Sequence, residues 1–196
     1  MPQMIREFKE WLNLDKMLGI FRSGDSASRR IATIGMFDGV HRGHLFLIDF
    51  LRREGARRGL TPTVVTFAQH PLSVVRPDDA PPLLASLDEK MALLRKAGIE
   101  NCVLLDFNEK LRRQSAREFL KLLHDTYAVD TLVIGFNHHM GADRIAGIDA
   151  CRAIGDEIGL EVIAAPELRE SDPDGENPTG ISSSAIRSLM SSGDLD

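Results

Sequence analysis

Two histidines, His41 and His44, stand three positions apart with Gly43 between them, in the segment 35–44 that directly follows the apolar run 31–34. That run predicts a buried strand, and the spacing from Gly43 onward is typical of a helix. A helix start presents unpaired backbone N–H groups and a partial positive charge, which favour an anion. Gly43 would also let a phosphate approach the backbone where a Cβ would collide. The pattern therefore predicts a site for the phosphates of a nucleoside triphosphate.

The two histidines have two other interpretations. They could be a metal pair, but a metal site needs a third ligand, and Asp38 is the close candidate. The glycine beside Asp38 suggests a turn instead, and the histidines could be ordinary turn residues. We predict no metal site built from protein ligands.

A second cluster of anion-binding side chains lies near the other end of the sequence. Ser182, Ser183 and Ser184 precede Arg187 at the start of a helical pattern. Hydroxyl and backbone N–H groups at a helix start donate to phosphate oxygens, and a guanidinium can bridge two of them. The alternative is a serine that caps the helix, with Arg187 in solvent.

Composition and charge limit the class of protein. The 196 residues are 43% hydrophobic and 27% charged, which is typical of one soluble domain. A net charge of −5 argues against a general nucleic-acid or membrane-surface binder. Cys102 and Cys151 are far apart, as in a reduced, cytoplasmic protein. No signal peptide or membrane-spanning apolar stretch is visible.

Apolar runs alternate with helical patterns along the chain. Capping boxes at Ser86/Glu89 and Ser115/Glu118 mark two helix starts. The alternation predicts an α/β fold with a Rossmann-like open, mainly parallel sheet and helices on both faces. The predicted strands are Arg30–Ile34, Thr63–Phe67, Cys102–Phe107, Thr131–Phe136 and Glu161–Ala165, and the helices are His44–Arg58, Ser86–Ala97, Ser115–His124 and Gly147–Ile158.

Ligands of such sheets bind beyond the carboxyl ends of the strands. The segments 37–44, 69–71 and 137–139 follow the first, second and fourth predicted strands. The proline-rich loop 68–85 could cover a ligand, and we expect the loop 166–180 to be mobile. We divide the chain into residues 1–29, an amphipathic helix and a polar link, and residues 30–196, the main domain.

The motif G-M-F-D-G-V-H-R-G-H at 35–44, with I-S-S-S-A-I-R at 181–187, resembles the FMN adenylyltransferase module of the prokaryotic bifunctional FAD synthetases. Those proteins join this nucleotidyltransferase module to a riboflavin kinase module. The segments 65–71, 87–98, 115–120 and 135–137 are also similar to the family. The resemblance implies that ATP and FMN react to give FAD and pyrophosphate.

The resemblance also implies roles for individual residues. Catalysis would fall to His41, His44 and Arg187, with the histidines at the α- and β-phosphates. Mg²⁺ would arrive with ATP and bind mainly through phosphates and water. The ATP site would comprise Gly35, Phe37, Asp38, Gly39, His41, Gly43, His44, Ser182, Ser183, Ser184 and Arg187, with Asp38 near the nucleotide or Mg²⁺. The flavin site would comprise Phe67, His70, Pro71, Phe136 and Asn137.

The sequence departs from the family in a few places. His138-His139-Met140 replaces a usual Phe-Gly pair, Gln69 replaces a proline, and Ser184 stands where threonine is common. The residues end at Asp196, where the family enters the linker to its kinase, so we expect no riboflavin kinase module here.

Two other functions stay open. One is a nucleotidyltransferase for another small phosphorylated acceptor, such as a precursor of NAD, of coenzyme A or of a CDP-alcohol. The other is a non-catalytic flavin- or nucleotide-binding regulator. A class I tRNA synthetase fits poorly, because the chain is short and acidic. We therefore expect ATP and FMN as partners, with no nucleic acid and no membrane.

Overall fold

The computed structural model describes residues 19–20, 29–135, 139–166, 183 and 186–188. The predicted N-terminal helix 5–18 and most of the loop 166–180 lie outside these residues. So do four predicted site residues, Phe136, Asn137, Ser182 and Ser184.

A parallel sheet of six strands forms the centre of the described residues. Five of its strands match the predicted ones, and the sixth, Gly19–Ile20, lies in the segment that we expected to be a helix and a polar link. The order of the sheet is β1-β4-β3-β2-β5-β8. A separate antiparallel pair, β6 and β7, follows β5. The strands are β1 Gly19–Ile20, β2 Arg30–Ile34, β3 Thr61–Phe67, β4 Asn101–Leu105, β5 Val129–Ile134, β6 His139–Met140, β7 Ile145–Ala146 and β8 Glu161–Ala164.

Local hydrogen bonds define the main helices. Both predicted capping boxes are present, Ser86 with Glu89 and Ser115 with Glu118. Gly159 ends the last helix in the left-handed conformation, as expected. The helices are α1 Arg42–Arg58, α2 Leu72–Val75, α3 Leu87–Lys96, α4 Glu109–Arg112, α5 Ala116–Tyr127 and α6 Ile148–Ile158, with short 3₁₀ turns at Asp38–Val40 and Pro77–Asp79.

Two hydrophobic cores lie on opposite faces of the sheet, because successive strand residues point to opposite sides. Ile31 packs in one core with residues of α1 and α3, and Ala32 packs in the other with residues of α5 and α6. The predicted placement of helices on both faces is therefore confirmed.

The strand order reverses direction at β2. The chain runs outward from β2 through β3 to β4 on one side, and continues through β5 to β8 on the other. In an open parallel sheet, the crevice beside this reversal, at the carboxyl ends of the strands, is the usual ligand site. The turn that carries His41 and His44 follows β2 at this position.

Candidate active site

The turn 35–44 has an unusual backbone. Phe37 and Val40 have φ values of 50° and 39°, in the left-handed region that disfavours side chains with a Cβ. Both side chains are buried in the core that contains Ile48 and Leu51, which offsets this cost. Gly39 has a φ of 72°, and an added Cβ would lie 3.2 Å from Leu84. Tertiary packing therefore holds the turn in shape.

We expected Phe37 in the ATP site as one of the residues that shape the turn. Its side chain is fully buried, and its ring shapes the turn from inside. A contact between Phe37 and ATP stays a prediction.

The rings of His41 and His44 stack on each other at the start of α1. Their centroids lie 3.7 Å apart with an interplanar angle of 20°, and the Phe37 ring lies 4.9 Å from His44. Each Nδ1 atom is buried with no hydrogen-bond partner in the described part of the chain. Burial lowers the pKa of both histidines, and the charge of His41 helps to lower the pKa of His44 to about 3. Both rings are therefore neutral near pH 7 in the ligand-free protein.

Asp38 joins the turn to two distant segments. Its carboxylate is 2% exposed, and Oδ1 accepts hydrogen bonds from Leu84 N at 2.9 Å and Ala85 N at 3.2 Å. Oδ2 lies 2.5 Å from Nη2 of Arg187. Ser183 Oγ donates to the Asp38 carbonyl oxygen at 3.1 Å. The two motifs from opposite ends of the sequence therefore meet at Asp38.

These contacts bear on two of the expectations. Protein donors engage both carboxylate oxygens of Asp38, and its expected place near the nucleotide or Mg²⁺ stays a prediction. The alternative of an Arg187 in solvent is wrong. Its side chain is 15% exposed, and its Nε donates to Pro82 O at 2.9 Å.

A cavity of about 280 Å³ lies beside the turn and shares Gly35 with it. The predicted flavin residues Phe67 and Pro71 line this cavity, and the Phe67 ring meets the Phe107 ring edge-on at 5.6 Å. The complete lining is Ile34, Gly35, Phe67, Pro71, Phe107, Leu111, Arg112, Gln114, Phe119, Met140 and Gly141.

Several of these lining residues were not predicted. Phe107 follows β4, so the rule that ligands bind at the carboxyl ends of strands was a usable signal for it. Gln114 and Gly141 carried no comparable signal in the sequence. Met140, from the segment that differs from the family sequence, is buried and lines the cavity.

His70, another predicted flavin residue, is not part of the cavity lining. Its Nδ1 accepts a hydrogen bond from Leu72 N at 3.2 Å, so in a neutral ring the proton is on Nε2. Burial lowers its pKa, and the nearby charge of Arg187 lowers it further. The charges of Arg187 and Asp38 both act on the His70 ring, so His70 lies in the neighbourhood of this pair.

Lys90 on α3 is a buried charged residue that was not predicted as a site residue. Its Nζ donates to Phe67 O at 2.8 Å, to Met36 O at 3.3 Å and to Thr66 Oγ1 at 3.4 Å. Burial lowers its pKa. The residue lay within the family-like segment 87–98, but its pattern indicated only a helix.

Over the described ranges, no group of three or more histidine, cysteine, aspartate or glutamate side chains is arranged to hold a metal ion. Among the helices of the same ranges, none is long and apolar enough to cross a membrane.

Comparison with known proteins places these features in a family. The model of the FAD synthetase family matches residues 24–183. A bifunctional riboflavin kinase/FMN adenylyltransferase of Pseudomonas fluorescens is 35% identical over 85% of this chain and 51% of its own length. The Escherichia coli K12 protein of the same name is 31% identical over 84% of this chain and 51% of its own length.

A solved structure shares the fold. A crystal structure of a protein described as a macrolide-efflux protein from Streptococcus pneumoniae matches with a TM-score of 0.68 and 27% identity. The match covers 83% of this chain and 51% of that one. The chain thus spans about half the length of the curated relatives and of the solved structure that it matches. The family match extends over most of the 196 residues, including the turn, the cavity and Ser183, and so the chain belongs to the FAD synthetase family.

Proposed function

We propose that this chain transfers the adenylyl group of ATP to FMN, giving FAD and pyrophosphate. The observation that carries the proposal is that Gly35 belongs both to the turn and to the cavity lining. It begins the turn with the stacked histidines and also lines the mainly apolar cavity. The proposed phosphate site and the proposed flavin pocket are therefore adjacent, as transfer between ATP and FMN requires.

In the proposed reaction an FMN phosphate oxygen forms a bond to the α-phosphorus of ATP. The bond from that phosphorus to the bridging oxygen breaks, and pyrophosphate leaves with the electron pair. The attacking oxygen is already anionic, so no general base is needed. Catalysis then depends on positioning two polyanions and stabilising the charge on the leaving group.

The proposed roles follow from this chemistry. His41 and His44 would bind the α- and β-phosphates, since a neutral ring with its proton on Nε2 is a hydrogen-bond donor. Arg187, with Ser182, Ser183 and Ser184, would bind the β- and γ-phosphates and the departing pyrophosphate. Gly43 would keep the backbone at the start of α1 open to the phosphates, and Gly39 would allow the left-handed turn that packs against Leu84. These roles are supported by the contacts that bring Ser183 and Arg187 onto the turn.

The cavity is the proposed site of the isoalloxazine ring. Phe67, Pro71 and Phe107 supply an apolar lining, and aromatic rings favour edge-on or offset contacts with a flat ligand. Phe136 and Asn137 follow β5 in sequence, and we keep them as proposed flavin contacts. His70 would act nearer the phosphates, given its place beside Arg187.

We propose that Mg²⁺ enters bound to ATP and supplies charge neutralisation. The donor set fits a metal held by phosphate oxygens and water, because protein donors occupy the Asp38 carboxylate. We also propose a cytoplasmic location and no nucleic-acid partner, as the composition suggests.

The proposed activity is adenylyl transfer alone. The relatives are named for two activities, and this chain spans about half of their length. We assign residues 30–196 to the nucleotidyltransferase domain, together with the strand Gly19–Ile20 that pairs with β4. The rest of residues 1–29 is assigned to a preceding helix and link. We expect the 196 residues to lack riboflavin kinase activity.

The test is to incubate the purified chain with FMN, ATP and Mg²⁺ and to separate the flavins. We expect FAD and pyrophosphate in equal amounts, and no FMN from riboflavin and ATP. Faster turnover of a pyridine mononucleotide or phosphopantetheine would favour the other nucleotidyltransferases. Binding of FMN and ATP without turnover would indicate the non-catalytic regulator.

A further inference from the structure

Lys90 lies at the junction of the two halves of the site. It is only 5% exposed, and none of the carboxylates in the described ranges lies within ion-pair distance of its Nζ. The charge of Asp38 acts on it from farther away. An ammonium group in such a place is costly, because burial removes its hydration.

The hydrogen bonds of Lys90 are what compensate for this cost. An ammonium has three donors, and the three acceptors are Phe67 O, Met36 O and Thr66 Oγ1. Thr66 Oγ1 in turn donates to Met36 O at 3.1 Å. A methionine would fill similar volume without the electrostatic cost, so packing alone does not account for a lysine here.

The acceptors belong to different walls of the site. Met36 lies in the turn after β2, between Gly35 and Phe37. Phe67 is the last residue of β3, and its side chain lines the cavity. One side chain from α3 therefore ties the backbone of the phosphate turn to the backbone of the cavity wall.

We propose that Lys90 is a positioning residue, which fixes the phosphate turn relative to the cavity so that the two substrates meet in line. The inference rests on the proposed adenylyl transfer. The turn binds ATP and the cavity binds FMN without Lys90. The distance between the FMN phosphate and the α-phosphorus of ATP, however, depends on the hydrogen bonds through which Lys90 joins the turn to the cavity wall. A misplacement of about 1 Å between reacting groups can cost about 100-fold in rate.

The test compares Lys90→Met with Met91→Ala. Met91 is the next residue of α3, is buried in the core and makes none of the Lys90 contacts. Both variants lower the melting temperature, so Met91→Ala controls for lost stability. For Lys90→Met we expect kcat to fall about 10- to 100-fold, while the dissociation constants of ATP and of FMN, each titrated alone, change less than about threefold. Met91→Ala keeps its kcat well below its melting temperature.

The outcomes separate this inference from the proposed function. A wild-type chain that makes no FAD refutes the proposed function and this inference with it. An active wild type with an unchanged kcat in Lys90→Met overturns the role of Lys90 alone. The same holds if both ligand affinities fall in parallel with stability. Should Lys90→Met fail to fold, Lys90→Gln replaces it. Its shorter amide cannot span both carbonyls, and an unchanged kcat in that variant also overturns the proposal.

Discussion

Arg187 Nη2 lies 2.5 Å from Asp38 Oδ2, although the two residues are 149 positions apart in the sequence. The pair connects the end of the family's late motif to the middle of its early motif. Asp38 also accepts hydrogen bonds from the backbone at Leu84 and Ala85. The carboxylate therefore positions the proposed phosphate-binding arginine and one end of the proline-rich loop together.

Arg187→Ala should lower both activity and stability. Loss of a preorganised cationic donor costs about 2–4 kcal/mol of transition-state stabilisation. The variant also leaves one oxygen of a buried carboxylate without its partner, which costs about 1–3 kcal/mol of unfolding free energy. Steady-state kinetics and denaturant unfolding measure the two effects.

The control for Arg187 is a double-mutant cycle with Asp38→Asn. The amide carries no charge, so Arg187→Ala should destabilise the Asp38→Asn variant less than it destabilises the wild type. Equal destabilisation in both backgrounds would show that the ion pair contributes nothing to folding.

His44→Ala should lower kcat/KM for FAD formation, because the variant removes a proposed hydrogen-bond donor to the phosphates. The loss corresponds to a rise of about 2–4 kcal/mol in the activation free energy. His124→Gln is the control. His124 contacts the Val129 carbonyl oxygen through Nδ1 at 3.0 Å, at the far end of α5 from the site. Near-full activity in His44→Ala would refute the phosphate role of this histidine.

The ligand-free protein should lose stability as pH falls from 6.5 to 4.5. The pKa values of His41, His44 and His70 are lowered in the folded state, so the unfolded chain binds protons first in this window. The contribution of His44 is present above its unfolded pKa of 6.5. It declines as pH falls toward its folded pKa of about 3, with a slope of at most about 1.4 kcal/mol per pH unit.

Thermal unfolding at several pH values measures this loss. The carboxylates whose pKa values are lowered, such as Glu89 and Glu118, affect stability mainly below their ordinary pKa of 4.5, so the range from pH 6.5 to 4.5 reports mainly on the histidines. His44→Asn should flatten the profile between pH 4.5 and 6.5. An unchanged profile would mean that His44 is solvated.

Phe67→Ala should weaken FMN binding by about 1 kcal/mol or more, because an aromatic contact with the flavin is lost, and should leave ATP binding unchanged. Separate titrations of the two ligands measure this. Phe50→Ala is a matched control, since Phe50 packs on the core of the opposite sheet face. If FMN and ATP affinities fall together in Phe67→Ala, Phe67 is a core residue whose loss loosens the domain.

Signals confined to neighbouring residues were readable in the sequence. The capping boxes at Ser86 and Ser115 depend on a side chain and a backbone group three residues apart, and both formed as predicted. The apolar runs marked five strands of the sheet to within a few residues, and their alternation with helices indicated the parallel sheet. The short strands Gly19–Ile20, His139–Met140 and Ile145–Ala146 were not predicted. The motifs at 35–44 and 181–187 were enough to identify the family.

Only the tertiary structure decided what the residues of those motifs contact. We expected Phe37 and Asp38 to shape the turn of the ATP site, and the structure shows that Phe37 does so from within the core and that Asp38 pairs with Arg187. The sequence placed Lys90 only in the helical segment 87–98, whereas in the structure it donates hydrogen bonds to the turn and to the cavity wall. The physical reason is that a capping box needs only its own helix, whereas these contacts exist only after α3, β2 and β3 have packed together. Burial and long-range pairing depend on all of these elements at once, and no local pattern encodes them.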